Sequence, residues 1–242
     1  MEQVWFALPP GDRRQATLCA LLEKDGHRVQ LLPVPERWGK ENLPPPGTIV
    51  PVANATSALR ERAEELGLRL LEYGRRPDFM AENGAVTAEN ALRTAMEQGI
   101  TLHGKRALVI GWGNIGKPLC MMLRGVGMAV TASARRTHHL SEITAMAFAP
   151  VHTLAMEAAL PLQDVVFNTV PVLVLGEKQL ALLPKHAVVI DLASAPGGVD
   201  LDAARALSLR AMPALALPGK MTPQPAAEAI LHAVYHAIEE GF

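Results

Sequence analysis

Short apolar runs alternate along this chain with longer stretches whose apolar positions recur every third or fourth residue, the pattern of strands linked by helices. Gln3–Leu8 reads as a first strand, closed by a turn at Pro9-Pro10-Gly11, after which Asp12 caps a helix running to about Lys24. Arg28–Leu32 is a second strand, the Pro- and Gly-rich Pro33–Gly47 a loop, and Thr48–Val52 a third strand. Ser57–Leu66 is helical, Leu68–Glu72 is a strand, and a helix from about Asn83 to Gln98 carries the chain onward. The alternation then restarts more strongly. Strands are expected at Arg106–Ile110, Ala129–Ser133, Ala149–His152, Asp164–Asn168, Ala187–Asp191 and, more weakly, Leu209–Met212. Helices are expected at Asn114–Val126, Leu140–Ala147, Asp200–Leu207 and from about Pro223 to Glu240. The simplest organisation is an α/β chain of two lobes, 1–98 and 99–221, with a cleft between them and helix 222–242 packing back on the first lobe.

Composition narrows the function classes. Of 242 residues, 49% are hydrophobic, 19% charged and only 4% aromatic, which suits parallel sheets covered by helices. Lys plus Arg is 23 against 24 Asp plus Glu, a net charge of −1 that gives no basic footprint for nucleic acid. Cys19 and Cys120 lie in apolar helical stretches and build no disulfide framework, as a reducing compartment permits. No apolar run approaches the ~18 residues of a membrane span. The start Met1-Glu2-Gln3-Val4-Trp5 lacks the basic segment of a signal peptide. A cytoplasmic protein with no membrane or nucleic-acid partner is expected.

The chemistry enters at Gly111-Trp112-Gly113-Asn114-Ile115-Gly116, directly after the strand residues Ala107-Leu108-Val109-Ile110 and at the opening of a helix. In this setting Gly111 allows the tight turn, Gly113 lets the backbone approach a pyrophosphate, and Gly116 lets the helix pack on the strand. The N–H groups near Asn114 and Ile115 would face the phosphates at the positive end of the helix. The motif predicts a dinucleotide-binding Rossmann domain beside a smaller α/β N-terminal lobe. An NAD site places Asp or Glu about 20 residues on, to bond the ribose 2′-hydroxyl. Here Ser133 stands 22 residues after Gly111, followed by Ala134, Arg135 and Arg136. A hydroxyl and two guanidiniums suit a 2′-phosphate, so NADP is expected in preference to NAD.

A further series of motifs gives a family resemblance. Gly11-Asp12-Arg13-Arg14-Gln15, then Asn83, Thr87, Ala88 and Glu89, the glycine motif with Ala134-Arg135, Asn168-Thr169-Val170-Pro171, the run Asp191-Leu192-Ala193-Ser194-Ala195-Pro196-Gly197-Gly198-Val199-Asp200, and Leu217-Pro218-Gly219-Lys220 together resemble the A subunit of dipicolinate synthase over nearly the whole chain. The resemblance implies a two-lobed enzyme component with a nicotinamide cofactor. It further implies formation of pyridine-2,6-dicarboxylate from a dihydro or hydroxy-tetrahydro precursor of the lysine pathway, for the spore core, in company with a flavoprotein-like B subunit. A homo-oligomer is expected. Two departures stand out: a first lobe shorter than the family's, and Gln224-Pro225-Ala226-Ala227 where the family has a Lys-Thr-Ala-Gly-like run.

A planar dicarboxylate needs cations or free N–H donors on opposite sides. Arg14, at the start of a helix, and Lys220, in a Pro-Gly-Lys turn before the last helix, are the expected carboxylate contacts. Aromatising the ring requires one proton to be removed, and Asp12, Glu89 and Asp191 are the candidate bases, with Asp12 also a plain helix cap. Asn168, Thr169 and Pro171 are expected to border the cofactor riboses, and Ala193 and Ser194, with the Pro196-Gly197-Gly198 turn, the nicotinamide. His232 and His236 sit four apart without a third ligand, so no metal is expected. His138-His139 reads as solvated. Two other readings keep the lobes: a dehydrogenase of another small carboxylate, shikimate- or methylenetetrahydrofolate-type, and a non-catalytic nucleotide-binding scaffold.

Overall fold

The computed structural model describes residues 3–9, 11–32, 38 and 43–242. Met1 and Glu2, Pro10 of the first expected turn, and 33–37 and 39–42 of the expected Pro33–Gly47 loop lie outside the described residues. The chain divides into two compact units, Met1–Val86 with Pro218–Phe242, and Thr87–Leu217.

In the first unit the chain runs β1 (Trp5–Leu8), α1 (Arg13–Lys24), β2 (Arg28–Leu31), β3 (Ile49–Val52), α2 (Ser57–Glu65), β4 (Arg69–Glu72) and the first turns of α3 (Pro77–Glu97). The four strands form one parallel sheet in the order β2-β1-β3-β4. Apolar residues face both ways from it, as strands covered on two sides require. Phe6, Leu8 and Leu71 pack with Leu18 and Leu22 of α1 and with Ala227, Ile230 and Val234 of α9 (Pro223–Glu239). Ala7, Val50 and Val52 pack with Trp38, Ala63 and Leu68 in a separate cluster. The chain leaves β1 toward β2 on one side and returns to β3 on the other. The carboxyl ends of β1 and β3 therefore flank a switch point, where such sheets bind ligands. Gly11–Arg14 follows β1 there.

The second unit carries β5 (Arg106–Ile110), α4 (Gly116–Gly125), β6 (Ala129–Ala134), α5 (Thr137–Ala145), β7 (Ala149–His152), β8 (Val165–Asn168), α6 (Glu177–Leu180), β9 (Val188–Asp191), α7 (Leu201–Ala206) and β10 (Arg210–Pro213). Single 3-10 turns stand at Thr153–Ala155 and Leu160–Leu162. All six strands are parallel, in the order β10-β9-β8-β5-β6-β7, which is the Rossmann order with its switch point between β5 and β8. β8 and β9 are buried along their whole length, and Leu108, Ile110, Val166 and Val189 meet Leu180 and Ala204 in the core.

Most strand ends lie within a residue or two of the sequence reading, while the short helix α6 was not expected and several other helical features differ. α3 begins at Pro77 rather than Asn83, because proline's fixed φ suits a first helical position and Asp78 supplies the first-turn acid. α4 begins at Gly116 rather than Asn114, since Gly113–Ile115 are spent on the turn ahead of it, with Ile115 as the cap residue. α5 begins at Thr137 rather than Leu140, with Arg136 in extended backbone ahead of it. The expected Pro-Gly-Lys turn is instead a short helix, α8 (Leu217–Met221). Among the described residues no helix is long and apolar enough to cross a membrane.

Candidate functional site

The carboxyl edge of the second sheet opens into a cavity of about 500 Å³, bounded by Gly111–Gly113 after β5, Ala134–Arg136 after β6, Thr153 and Leu154 after β7, and Thr169–Val174 after β8. Gly111 leaves β5 at φ +107°, and a side chain on it would overlap Thr169 Oγ1, which donates to the Ile110 carbonyl at 2.9 Å. A Cβ on Gly116 would overlap the Gly111 carbonyl oxygen, so α4 lies directly on the turn. Gly113 and Asn114 are exposed between these two fixed points, Ile115 is half-buried, and nothing lies within 4 Å of where a Gly113 Cβ would be. A bare backbone path at a helix start, facing a cavity of this size at a sheet switch point, fits a dinucleotide. Trp112 lines the cavity too, its Nε1 donating to Glu142 at 2.9 Å while Lys117 reaches the same carboxylate oxygen at 2.8 Å.

At the end of β6 the expectation needs one correction. Ser133 does not offer its hydroxyl to the cavity: it is fully buried and shares a hydrogen bond of 3.1 Å with Thr153 Oγ1. The last three residues of β6, Ala132–Ala134, are all buried between the layers that cover the sheet, and exposure begins only past the strand, at Arg135 and Arg136, which line the cavity. The Arg135 carbonyl is bonded by His152 Nε2 at 3.1 Å. His152 Nδ1 accepts from the Leu154 N–H, which leaves the proton on Nε2.

Asn168 and Asp191, read as a ribose contact and a candidate base, turn instead toward each other. Asn168 Nδ2 donates to Asp191 Oδ1 at 2.8 Å and to the Val170 carbonyl at 2.9 Å, while its Oδ1 accepts from the Val170 N–H at 3.1 Å. Asp191 also accepts from the N–H groups of Ala193, at 3.2 Å, and Gly198, at 2.9 Å. Asn168 is 0% and Asp191 4% exposed. A carboxylate held by three donors and closed to solvent is a frame for its loop, and the two residues fix the loops that follow β8 and β9. Ala193 is buried within that frame; Ser194 is exposed and Pro171 lines the cavity.

In the first unit Asp12 caps α1, accepting from the Arg14 N–H at 2.9 Å, and the Arg14 guanidinium grips the same carboxylate through Nε and, at 2.8 Å, Nη2. That hydrogen bond holds the Asp12 carboxyl below its ordinary range and pushes Arg14 up. Asp12 is thus a poor base. Gly219 packs so closely here that a Cβ on it would overlap Asp12 and lie 3.0 Å from Arg14 Nε. Burial raises the nearby Tyr73 phenol, which feels the charges of Arg14 and Asp12. Lys220, next to Gly219, is exposed. Glu89 lies on α3 in the second unit, exposed, and no other described residue holds its carboxylate. The His232 and His236 rings are engaged by Glu82 at 2.9 Å and Asp78 at 3.0 Å, and no cluster of three metal-ligating side chains exists among the described residues.

Sequence reasoning missed the apolar walls of the cavity, Leu154 and Leu173, which stand 76% and 67% exposed at the sheet's carboxyl edge. It also read His139 as solvated, whereas that residue is half-buried and lines the cavity with the two arginines. Both leucines follow strand ends, the one signal that could have singled them out.

Residues 70–217 match the family described as D-isomer specific 2-hydroxyacid dehydrogenase, NAD binding domain. The dipicolinate synthase A subunit of Bacillus subtilis (strain 168) is 28% identical over 183 residues, which cover 75% of this chain but only 62% of that protein, less than two thirds of its length. In structure the chain resembles the dipicolinate synthase A subunit from Bacillus halodurans, with a TM-score of 0.82 at 23% identity over 98% of both chains. It also resembles D-lactate dehydrogenase from Escherichia coli, with a TM-score of 0.65 at 14% identity over 98% of both chains. These two likenesses speak for the fold.

Proposed function

The chain belongs to the D-isomer specific 2-hydroxyacid dehydrogenases by its NAD-binding domain, an oxidoreductase family that uses a nicotinamide dinucleotide, and from that premise we propose that it is an NADP-dependent dehydrogenase of the same type as the A subunit of dipicolinate synthase. In this reading Thr87–Leu217 binds the dinucleotide, and Met1–Val86 with Pro218–Phe242 binds a small planar dicarboxylate. It works in the cytoplasm with a partner that resembles the B subunit of that enzyme. The observation that carries the cofactor assignment is the end of β6: no carboxylate there to bond a 2′-hydroxyl, and two exposed arginines on the cavity wall.

The backbone of Gly111–Gly116 holds the pyrophosphate, and Arg135 and Arg136 pair the 2′-phosphate in fixed forks. Leu154 and Leu173 give the flat adenine apolar walls and keep water from it. When bound, the nicotinamide supplies acceptance of a hydride. Arg14 and Lys220 bind the carboxylates. Arg14 is already paired with Asp12, so it works as a rigid, pre-oriented donor rather than as a free charge, and Lys220, which has no ion-pair partner among the described residues, supplies the second cation. Glu89 takes the ring proton, because Asp12 is held by Arg14 and Asp191 by its loop.

NADPH should bind at least about tenfold more tightly than NADH, a difference of about 1.4 kcal/mol, and Arg135→Ala should remove most of that preference. Equal affinities in a fluorescence titration of the wild-type protein reject NADP. The reaction is tested with aspartate semialdehyde, pyruvate and dihydrodipicolinate synthase, with and without the flavoprotein-like second component, by watching for the ultraviolet absorbance of pyridine-2,6-dicarboxylate. Glu89→Gln should bind cofactor normally and turn over at least about a hundredfold more slowly. Cofactor binding without any product transfers the weight to another small carboxylate, or to a nucleotide-binding scaffold.

A further inference from the structure

His139 stands on the first turn of α5 and shares the wall of the dinucleotide cavity with Arg135 and Arg136. That wall follows β6, one strand away from the glycine turn, so it serves the ribose end of an adenosine and not the pyrophosphate. The groups that act on the imidazole come from four places. On α5 itself, His138 stacks edge-on at 4.2 Å and Glu142 lies one turn on. Lys117 approaches from α4, but its ammonium is committed to Glu142. Arg136 precedes the helix. Of the strands under α5, β6 has no titratable side chain, and β7 has only His152, which is tied to Arg135 and Leu154. Lys117 is therefore spoken for, and the cations that remain on this wall are two guanidiniums and one imidazole.

We propose that His139, with Arg135 and Arg136, receives the 2′-phosphate of the dinucleotide, so that coenzyme choice by this chain sharpens as the pH falls. The inference rests on the NADP reading and adds to it a residue and a condition. In the free protein, burial first and His138 next hold His139 below its ordinary range, which leaves it neutral at physiological pH. A phosphate dianion against the ring favours the imidazolium, so binding takes up a proton. The added affinity is absent above the pKa of the complex. It grows as the pH falls through that value and is complete once the pH drops below the pKa of the free protein. The 2′-phosphate is what His139 adds to, so a ligand without it shows no such gain.

The probes are 2′,5′-ADP and its counterpart without the 2′-phosphate, 5′-AMP, titrated calorimetrically at pH 8.5 and 6.5 into the wild-type protein and His139→Asn. The wild-type preference for 2′,5′-ADP should exceed that of the variant by about threefold or more at pH 6.5 and match it at pH 8.5. The phosphate's own second ionisation, near pH 6, affects both proteins alike and cancels. Equal pH dependence in the two proteins overturns the role of His139 while leaving the preference itself, and so the NADP reading, in place. No preference for 2′,5′-ADP at either pH in the wild type removes the NADP reading, and the role of His139 with it. His139 is only half-buried, so the smaller asparagine should fold normally, and an unchanged unfolding midpoint is the control.

Discussion

Asp191→Ala should lower the unfolding midpoint of the second unit by roughly 10 °C, because three buried donors lose their acceptor at once. The Asn168 amide and the N–H groups of Ala193 and Gly198 all end on that carboxylate. An orphaned buried donor costs about 1–3 kcal/mol, and allowing for partial relaxation the total is about 3 kcal/mol. The isosteric Asp191→Asn should rescue little. Its new amide would direct N–H groups at donors, and one oxygen cannot serve both the Asn168 side and the Gly198 side. A catalytic base behaves otherwise: Asp→Asn then leaves the melting curve in place and removes turnover alone. Thermal unfolding of the two variants separates these cases, and a wild-type midpoint for Asp191→Asn would return Asp191 to the candidate bases.

Asp191 also shows where the sequence stops being legible. It ends a central strand at the ligand-binding edge, and a catalytic carboxylate would stand in the same place with the same neighbours in sequence. What decides its role is the path of the chain seven residues later, where the Gly198 N–H turns back to it. Ser133 failed in the same manner: its spacing from Gly111 is that of a ribose contact, but it faces inward, toward Thr153, on a strand that the spacing rule treats as having one side. The alternating elements and the Rossmann sheet were readable because apolar periodicity is a local property that burial imposes on every strand and helix. α8 was not: Leu-Pro-Gly-Lys-Met carries turn residues, and five residues form a helix only with support from packing. His139 was read as solvated because the exposure of a helix's first turn depends on what stands opposite it.

In the proposed reading the glycine motif answers to two constraints, packing at some positions and the ligand at others, and the two can be taken apart. Gly116→Ala should damage the protein itself. Its Cβ would overlap the Gly111 carbonyl, a backbone atom that cannot swing aside, so either α4 lifts from the sheet or the turn opens. Overpacking of this kind costs about 1–3 kcal/mol, and both the melting temperature and dinucleotide affinity should fall. Gly113→Ala should leave the fold untouched, because no atom lies within 4 Å of the new methyl group and the backbone there is not in the left-handed region. If the proposed function holds, the methyl would nevertheless fill the space through which the pyrophosphate meets the backbone, so affinity for NADPH should drop at least about a hundredfold, or about 2.7 kcal/mol. Trp112, on the cavity wall, reports both losses through its fluorescence. A Gly113→Ala protein that melts normally and binds NADPH as tightly as the wild type would show that the dinucleotide does not lie along this turn. One that melts normally and no longer binds would locate the ligand at the only stretch of the motif that packing leaves free.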